Sequence, residues 1–270
     1  DTHIKNIPQV DTSKLQYTQQ VLGKGSFGVV KKASYGEYGF VAVKLLIHES
    51  DSALRALKLE IQRLHTYGKG SEHIVRFYGY IRAPEKGYAM EFMDCGSLND
   101  LLNDNVHLQY QIDHVFSWLK QVALGARYMH SVSLVHRDLK PHNLLLRDKY
   151  LTIKIGDFGL VGEVKATMTN CQGSAPWMAP EVFTGKKYST ACDVYSLGII
   201  LWQMVTRKDP YHRGNNALVV LGNVAKGARP HNVECHPLLW KMIEKMWAMD
   251  PEERPSMDDV VEYSDIMMQV

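Results

Sequence analysis

The sequence predicts an α+β protein whose strand-rich first third is followed by a mainly helical remainder. Three observations point there. Short β-branched runs punctuated by glycine fill residues 15–47 and 74–93. One helical spacing, over 52–67, stands between them. From Gly96-Ser97 onward the chain switches to helical patterns. The change in composition near Met93 is the one internal boundary, and no repeat, low-complexity tract or linker divides the chain further.

In order along the chain, residues 1–14 are polar and aperiodic, contain Pro8, and read as a lead-in. The runs QYTQQVLGKG, SFGVVKKASY and GFVAVKLLI follow as consecutive antiparallel strands. Leu54, Leu57, Ile61 and Leu64 recur at helical spacing over 52–67, with Glu60 in the middle of that helix. IVRFYGYI and GYAMEFM are two further strands. Ser97 stands as the N-cap of a short helix. Residues 116–130 form a long amphipathic helix, and Asp193 starts an apolar one that runs to Thr206. Residues 240–249 form another, and Asp250-Pro-Glu-Glu-Arg254-Pro introduces the last.

At 270 residues the chain is long enough to bury a large core, near the size at which one core becomes two. Its net charge of +2 leaves no electrostatic footprint for nucleic acid or an anionic membrane. Cys95, Cys171, Cys192 and Cys235 lie far apart with no CxxC pair, so they read as reduced thiols of a cytoplasmic protein. The longest apolar run, 197–205, is broken by Gln203 and is too short to span a bilayer. With neither an initiator Met nor a signal pattern, the chain reads as part of a longer one.

The chemistry concentrates in LVHRDLKPHNLLLRDKYLTIKIGDFGL, residues 134–160. Asp138 lies five residues before Asn143 and nineteen before Asp157, with apolar runs holding all three. Asn143 and Asp157 offer the hard oxygen donors that suit Mg²⁺. A lone Asp of this kind is usually a solvated loop charge; the joint spacing is what carries the signal. Upstream, GKGSFGVV places Gly23, Gly25 and Gly28 where backbone N–H groups could approach phosphates without Cβ obstruction. Dinucleotide-binding turns share GxGxxG, but here it lies between two strands and VAVK follows, which excludes strand–turn–helix. Lys44, in a strand of Val, Ala and Leu, is costly to bury unless paired. Glu60 is the candidate partner; Glu49 and Asp51, nearer in sequence but in a turn, are the rivals.

From about Leu15 to Met268 the chain resembles the eukaryotic protein kinases, with GKGSFGVV, VAVK, HRDLKPHN, DFG, APE and a closing Arg in family order and spacing. The match is to a known pattern. It implies a bilobal fold: a lead-in over 1–14, a small β-rich N-lobe with one main helix over 15–93, including the start of the hinge, and a larger helical C-lobe over 94–270. ATP and Mg²⁺ (Mn²⁺ as the alternative ion) would lie between the lobes. Asp138 would orient the acceptor hydroxyl and take its proton, with Lys140 reaching the γ-phosphate. Lys44, paired with Glu60, would hold phosphate, and Asn143 and Asp157 would bind the metal. Leu22, Gly23, Gly25, Gly28, Val30, Ala42, Lys44, Met90, Glu91, Met93 and Leu145 make up the nucleotide site. Val30 and Ala42 would roof the adenine, the backbone of Glu91-Phe92-Met93 would bind it, and Met90 would be core and pocket wall together. The resemblance also implies an apolar spine of Leu64, Phe77, His136 and Phe158. Asp193 is placed to cap the catalytic-loop backbone, and Arg254 to pair with Glu181.

Lys140-Pro141 resembles the serine/threonine kinases. The stretch MTNCQGSAPWMAPE is similar to the tyrosine-kinase-like group, in particular the transforming-growth-factor-β-activated and mixed-lineage MAP kinase kinase kinases. Gly156 departs from the former, which has Cys there. That likeness implies a protein substrate, a downstream kinase among the candidates, and an activating binding protein. LTIKIGDFGL, GSFGVV and NLLL also resemble the Cdc42-associated tyrosine kinases, so tyrosine or dual specificity is the alternative. A pseudokinase scaffold is the third reading, opposed by the presence of Lys44, Glu60, Asp138, Asn143 and Asp157. Arg137 puts a cation beside the catalytic loop, for a phosphate on segment 157–181 to balance. Thr169, then Thr167, are the candidate acceptors; Ser174 is a third, with a competing role as a hydroxyl contact to the catalytic loop. Cys95, just past the hinge, is expected at the lip of the cleft.

Overall fold

In the computed structural model, which describes residues 6–25, 28–105, 107–163, 175–185, 189–211 and 216–269, the strand-rich third is one antiparallel sheet. It is built from β1 (Leu15–Lys24), β2 (Gly28–Tyr35), β3 (Phe40–Leu46), β4 (Phe77–Ile81) and β5 (Gly87–Glu91), in the order β1-β2-β3-β5-β4. β3 is central and buries Val41, Ala42, Val43 and Leu45, so its apolar run is nearly continuous. β1 lies at one edge and buries only Leu15. The other edge, β4, does not face water alone. Val10 N donates to Tyr80 O and Tyr80 N to Pro8 O, each at 2.9 Å, so residues 8–10 of the expected lead-in lie along it and shield its open hydrogen bonds.

Helix α1 (Asp51–Tyr67) packs on this sheet. Ser50 caps its start by accepting from Ala53 N, and its buried stripe is Ala53, Leu57, Glu60, Ile61 and Leu64. The sequence spacing predicts Leu57, Ile61 and Leu64 of that stripe; Leu54, also expected, is only half-buried, and Ala53 and the acid Glu60 lie inside instead. One set of sheet residues, among them Val41, Val43, Leu45 and Ala89, closes over a small core with Val10 and Leu15. Phe77 and Tyr88 join α1 in the main core, which runs on into the helical lobe.

The helical lobe comprises α2 (Leu98–Asn103), α3 (Ile112–Ser131), α4 (Pro180–Phe183), α5 (Ala191–Thr206), α6 (Ala217–Ala225), α7 (Pro237–Met246) and α8 (Met257–Met267). Short strands β6 (Leu134–Val135), β7 (Leu144–Arg147), β8 (Thr152–Ile155) and β9 (Gly162–Glu163) form two antiparallel pairs, β6 with β9 and β7 with β8. α5 is buried without interruption from Cys192 to Met204, the pattern of a helix surrounded by its own protein. Arg254, with a side chain 0% exposed, meets Glu181 through two hydrogen bonds of 2.6 and 2.9 Å. α3 starts at Ile112, four residues earlier than the sequence pattern, where His114 Nδ1 accepts from Gln111 N at 3.2 Å. α7 corrects the expected 240–249. Pro237 occupies the first turn and His236 accepts from Leu238 N, which starts the helix early, and it ends at Met246. Among the described residues no helix is long and apolar enough to cross a membrane.

Candidate active site

The floor of the site is the loop after β6. Asp193 of α5 is fully buried, and its carboxylate accepts from His136 N, Arg137 N and His130 Nε2, each at 2.9 Å. Two consecutive loop amides are thereby tied to the most buried helix, and Arg137 is held at φ 68°, a conformation rare outside glycine. Desolvation opposes the Asp193 charge. The His130 hydrogen bond and charge, with the amide donors, outweigh it and hold the carboxyl below its usual range.

That anchored loop presents Asp138. Its carboxylate accepts from Lys140 Nζ at 2.8 Å and from Asn143 Nδ2 at 3.0 Å, and Asn143 Nδ2 also meets Asp138 O at 2.8 Å. With its NH₂ turned to Asp138, the Asn143 carbonyl oxygen is what remains for a cation. Gly156 N donates to Asn143 O at 2.8 Å, which sets Asp157 beside Asn143. Asp157 is held at φ 54°, and its Oδ1 accepts from Gly159 N at 3.2 Å. His136 and Phe158 pack edge to face, centroids 6.1 Å apart; both are fully buried, and Phe158 shares one core cluster with Leu64 and Phe77.

The sheet and α1 supply the other side. Lys44 Nζ lies 2.7 Å from Glu60 Oε1 and 3.7 Å from Asp157 Oδ1. Of the three sequence candidates it is therefore Glu60 that meets Lys44; Glu49 instead meets Lys86. Desolvation works against the Lys44 ammonium, but Glu60 and Asp157 more than offset it and its pKa is raised. For Asp157 desolvation is likewise outweighed, chiefly by Lys44, and its carboxyl is held below the usual range. Burial pushes the Glu60 carboxyl up, with Lys44 pulling it back.

The expected nucleotide residues divide by what surrounds them. Ala42 is buried opposite Met90 in the β3–β5 pairing, with Val30 half-buried on β2. Leu22 is exposed on β1, Met93 is buried past β5, and Leu145 lies half-buried on β7. The Glu91 side chain is committed elsewhere. It accepts from Lys154 Nζ at 2.9 Å on both oxygens, from Arg147, and from Arg76 N at 3.1 Å, while Glu91 N donates to Arg76 O at 2.8 Å, so neither its carboxylate nor its N–H is free for a ligand. Gly28 has a packing reason to be glycine, since a Cβ there would lie 2.7 Å from Leu45 O. Gly23 and Gly25 have none: a Cβ on Gly23 would meet nothing within 4 Å, and one on Gly25 nothing closer than 3.9 Å. Open space at Gly23 and Gly25 is what the expected approach of backbone N–H groups to phosphates requires.

Among the described residues no group of three or more His, Cys, Asp or Glu side chains could hold a metal alone. Asn143 and Asp157 would offer two oxygen donors of the kind that suits Mg²⁺, a metal that needs few protein ligands. Thr167, Thr169 and Ser174 lie outside the described residues. The Cys95 thiol faces Asp94 (Sγ to Oδ1, 3.6 Å) and the backbone of Lys149 and Tyr150, in the turn between β7 and β8.

Several residues without a motif also serve the site. Tyr88 donates to Glu60 at 2.9 Å, and Arg63 Nη1 lies 3.1 Å from Gly159 O and 3.4 Å from Phe158 O. His130 holds Asp193, and Arg147 and Lys154 hold Glu91. Each acts across 28 to 96 residues of sequence, so no local spacing announces it.

Comparison with known proteins adds that the protein kinase domain family matches residues 17–264. Mitogen-activated protein kinase kinase kinase mom-4 of Caenorhabditis elegans is 37% identical over 267 residues, covering 96% of this chain and 49% of that protein. Mitogen-activated protein kinase kinase kinase 7 of Homo sapiens is 38% identical over 266 residues, covering 96% of this chain and 43% of that protein. Its Drosophila melanogaster counterpart is 37% identical over 257 residues, covering 93% and 37%. The chain thus spans about half the length, or less, of these curated relatives.

Proposed function

The chain belongs to the protein kinase domain family, and from that premise we propose that it transfers the γ-phosphate of ATP to serine and threonine hydroxyls of protein substrates in a mitogen-activated-protein-kinase-type cascade. The observation that carries the reading is the convergence of Lys44, Glu60 and Asp157 (2.7 and 3.7 Å) above an Asp138 held by Lys140 and Asn143. ATP bound between the lobes would supply the phosphoryl group, and Mg²⁺ would neutralise phosphate charge. Asp138 orients the acceptor hydroxyl and takes its proton. Lys140, already beside Asp138, is the cation closest to that transfer. Lys44, kept charged and directed by Glu60, steadies the phosphates, and Asn143 and Asp157 hold the metal.

Lys140-Pro141 after Asp138, together with the names of the relatives, supports serine/threonine specificity and a downstream kinase as substrate. The division into a lead-in (1–14), N-lobe (15–93) and C-lobe (94–270), a cytoplasmic location, an activating binding protein, and Thr169 and Thr167 as switch phosphosites complete the proposal. The test is phosphoamino-acid analysis of a generic protein substrate incubated with the chain and Mg²⁺–ATP. Phosphoserine and phosphothreonine are expected, and Lys44→Met and Asp157→Asn are expected to lose on the order of 10²-fold or more in turnover. Phosphotyrosine alone would transfer the chain to the tyrosine-specific reading, and no transfer at all would make it a scaffold.

A further inference from the structure

Tyr88 lies in β5 directly across from Lys44 of β3, and residues so paired share a face of the sheet. Both side chains reach the same atom. Glu60 Oε1 accepts from Lys44 Nζ at 2.7 Å and from the Tyr88 hydroxyl at 2.9 Å. The Tyr88 ring is 1% exposed and packs at 6.0 Å from the Phe77 ring, while the Lys44 ammonium stands 5.8 Å from its centroid. Phenylalanine would fill that space equally well. A buried phenol hydroxyl is costly to leave without a partner, and this one finds the sole acid in the buried stripe of α1.

Glu60 gains as much. At 5% exposure its charge is far from water, and the hydroxyl adds a charge-assisted hydrogen bond to the Lys44 ion pair. One turn further along α1, Arg63 Nη1 reaches the carbonyls of Phe158 and Gly159, just past Asp157. The helix is therefore fastened twice, to the sheet through Tyr88 and to the Asp157 segment through Arg63. Lys44 alone is a long, mobile side chain. Tyr88 has two torsions, both fixed by burial, and so gives Glu60 a rigid reference.

We propose that Tyr88 is a positioning residue whose hydroxyl holds Glu60, and with it helix α1, where Glu60 pairs with Lys44. The proposal rests on the kinase reading of the site. It predicts that the hydroxyl governs how much of the time α1 is docked, while the ring governs packing.

The test compares the 270-residue chain with Tyr88→Phe, Tyr88→Leu, Glu60→Gln and the Tyr88→Phe/Glu60→Gln double variant. In nucleotide-free protein, Tyr88→Phe is expected to raise amide hydrogen exchange across Asp51–Tyr67 about tenfold, leaving Ala191–Thr206 unchanged. That factor is the low end of what a hydrogen bond to a charged group contributes. With ATP, kcat/KM is expected to fall by a similar factor. In the Glu60→Gln background Tyr88→Phe should add only about threefold to exchange, because the amide oxygen still accepts from the hydroxyl but no longer carries the charge. Tyr88→Leu, which also loses the ring, should lower the unfolding midpoint, and Tyr88→Phe should largely keep it. Unchanged exchange in Tyr88→Phe, or an equal effect in both Glu60 backgrounds, would overturn the proposal. If the parent chain transfers no phosphate, the kinase reading fails by itself and the exchange comparison still decides the role of Tyr88.

Discussion

A thiol's reactivity follows from what faces it, and Cys95 faces an acid. Burial pushes the thiol up from its ordinary value of 9.0, and the Asp94 carboxylate adds to this, only partly offset by the N–H groups of Tyr150 and Lys149. Sequence adjacency to the hinge suggests a cleft-lip cysteine; the side chain instead turns to the β7–β8 turn. Mild alkylation followed by mass spectrometry should therefore modify Cys95 several-fold more slowly than a free cysteine. Saturating Mg²⁺–ATP should leave its rate unaltered, and protection by nucleotide would return the thiol to the cleft. Glu91 teaches the same lesson. Its place in the chain marks it for the nucleotide, but Arg147 and Lys154, 56 and 63 residues away, claim the carboxylate.

At the scale of elements, α5 acts as the bench on which the catalytic loop is mounted. Asp193 is its fixing point, and the sign of its pH dependence follows from its depressed pKa. The stabilisation is complete above the ordinary aspartate value of 3.8 and is lost as pH falls through the lower folded value. Urea unfolding from pH 3 to 7 should show a loss of stability below about pH 4. Asp193→Asn should weaken that acid limb and cost about 2–3 kcal/mol at neutral pH, as expected for losing hydrogen bonds to a buried charge. An acid limb of full size in the variant would assign it to other carboxylates. How legible such elements are depends on the range of their causes. α1 is readable because Leu57, Ile61 and Leu64 repeat locally, and α2 because Ser97 caps it by accepting from Asp100 N at 3.2 Å. The first residues of α7 are not, because histidine is an uncommon cap and His236 supplies it here. Asp138, Asn143 and Asp157 are legible as a spacing, whereas Tyr88, Arg63 and His130 are visible only once strands and helices have met.

At the scale of the whole molecule, two contacts decide how the parts hold together. Glu181 and Arg254, 73 residues apart, form an ion pair closed to water. Removing one partner strands the other's charge, so Glu181→Ala should cost about 3–5 kcal/mol, read from the denaturant midpoint. A loss below 1 kcal/mol would mean that Arg254 finds other partners, such as the Ala191 and Ala248 carbonyls it already touches. The seam between the lobes is the second. Val75 N donates to Ile155 O at 2.9 Å and Ile155 N to His73 O at 2.8 Å, so the chain leading into β4 pairs with β8. Gly125 of α3 lies directly beneath. A Cβ there would sit 2.9 Å from Ile155 Cδ1 and 3.1 Å from His73 O. In an open helix Gly→Ala is favourable by about 1 kcal/mol. Here Ile155 is 0% exposed and His73 O is fixed by its own hydrogen bond, so neither neighbour can yield. Overpacking of about 1–3 kcal/mol outweighs the helix gain. Gly125→Ala is thus expected to lower stability by up to about 2 kcal/mol and, by lifting residues 73–75 from β8, to raise KM for ATP more than it lowers kcat. Greater stability in the variant, measured by chemical denaturation, would show that the seam relaxes and that close packing beneath it does not set the register of the two lobes.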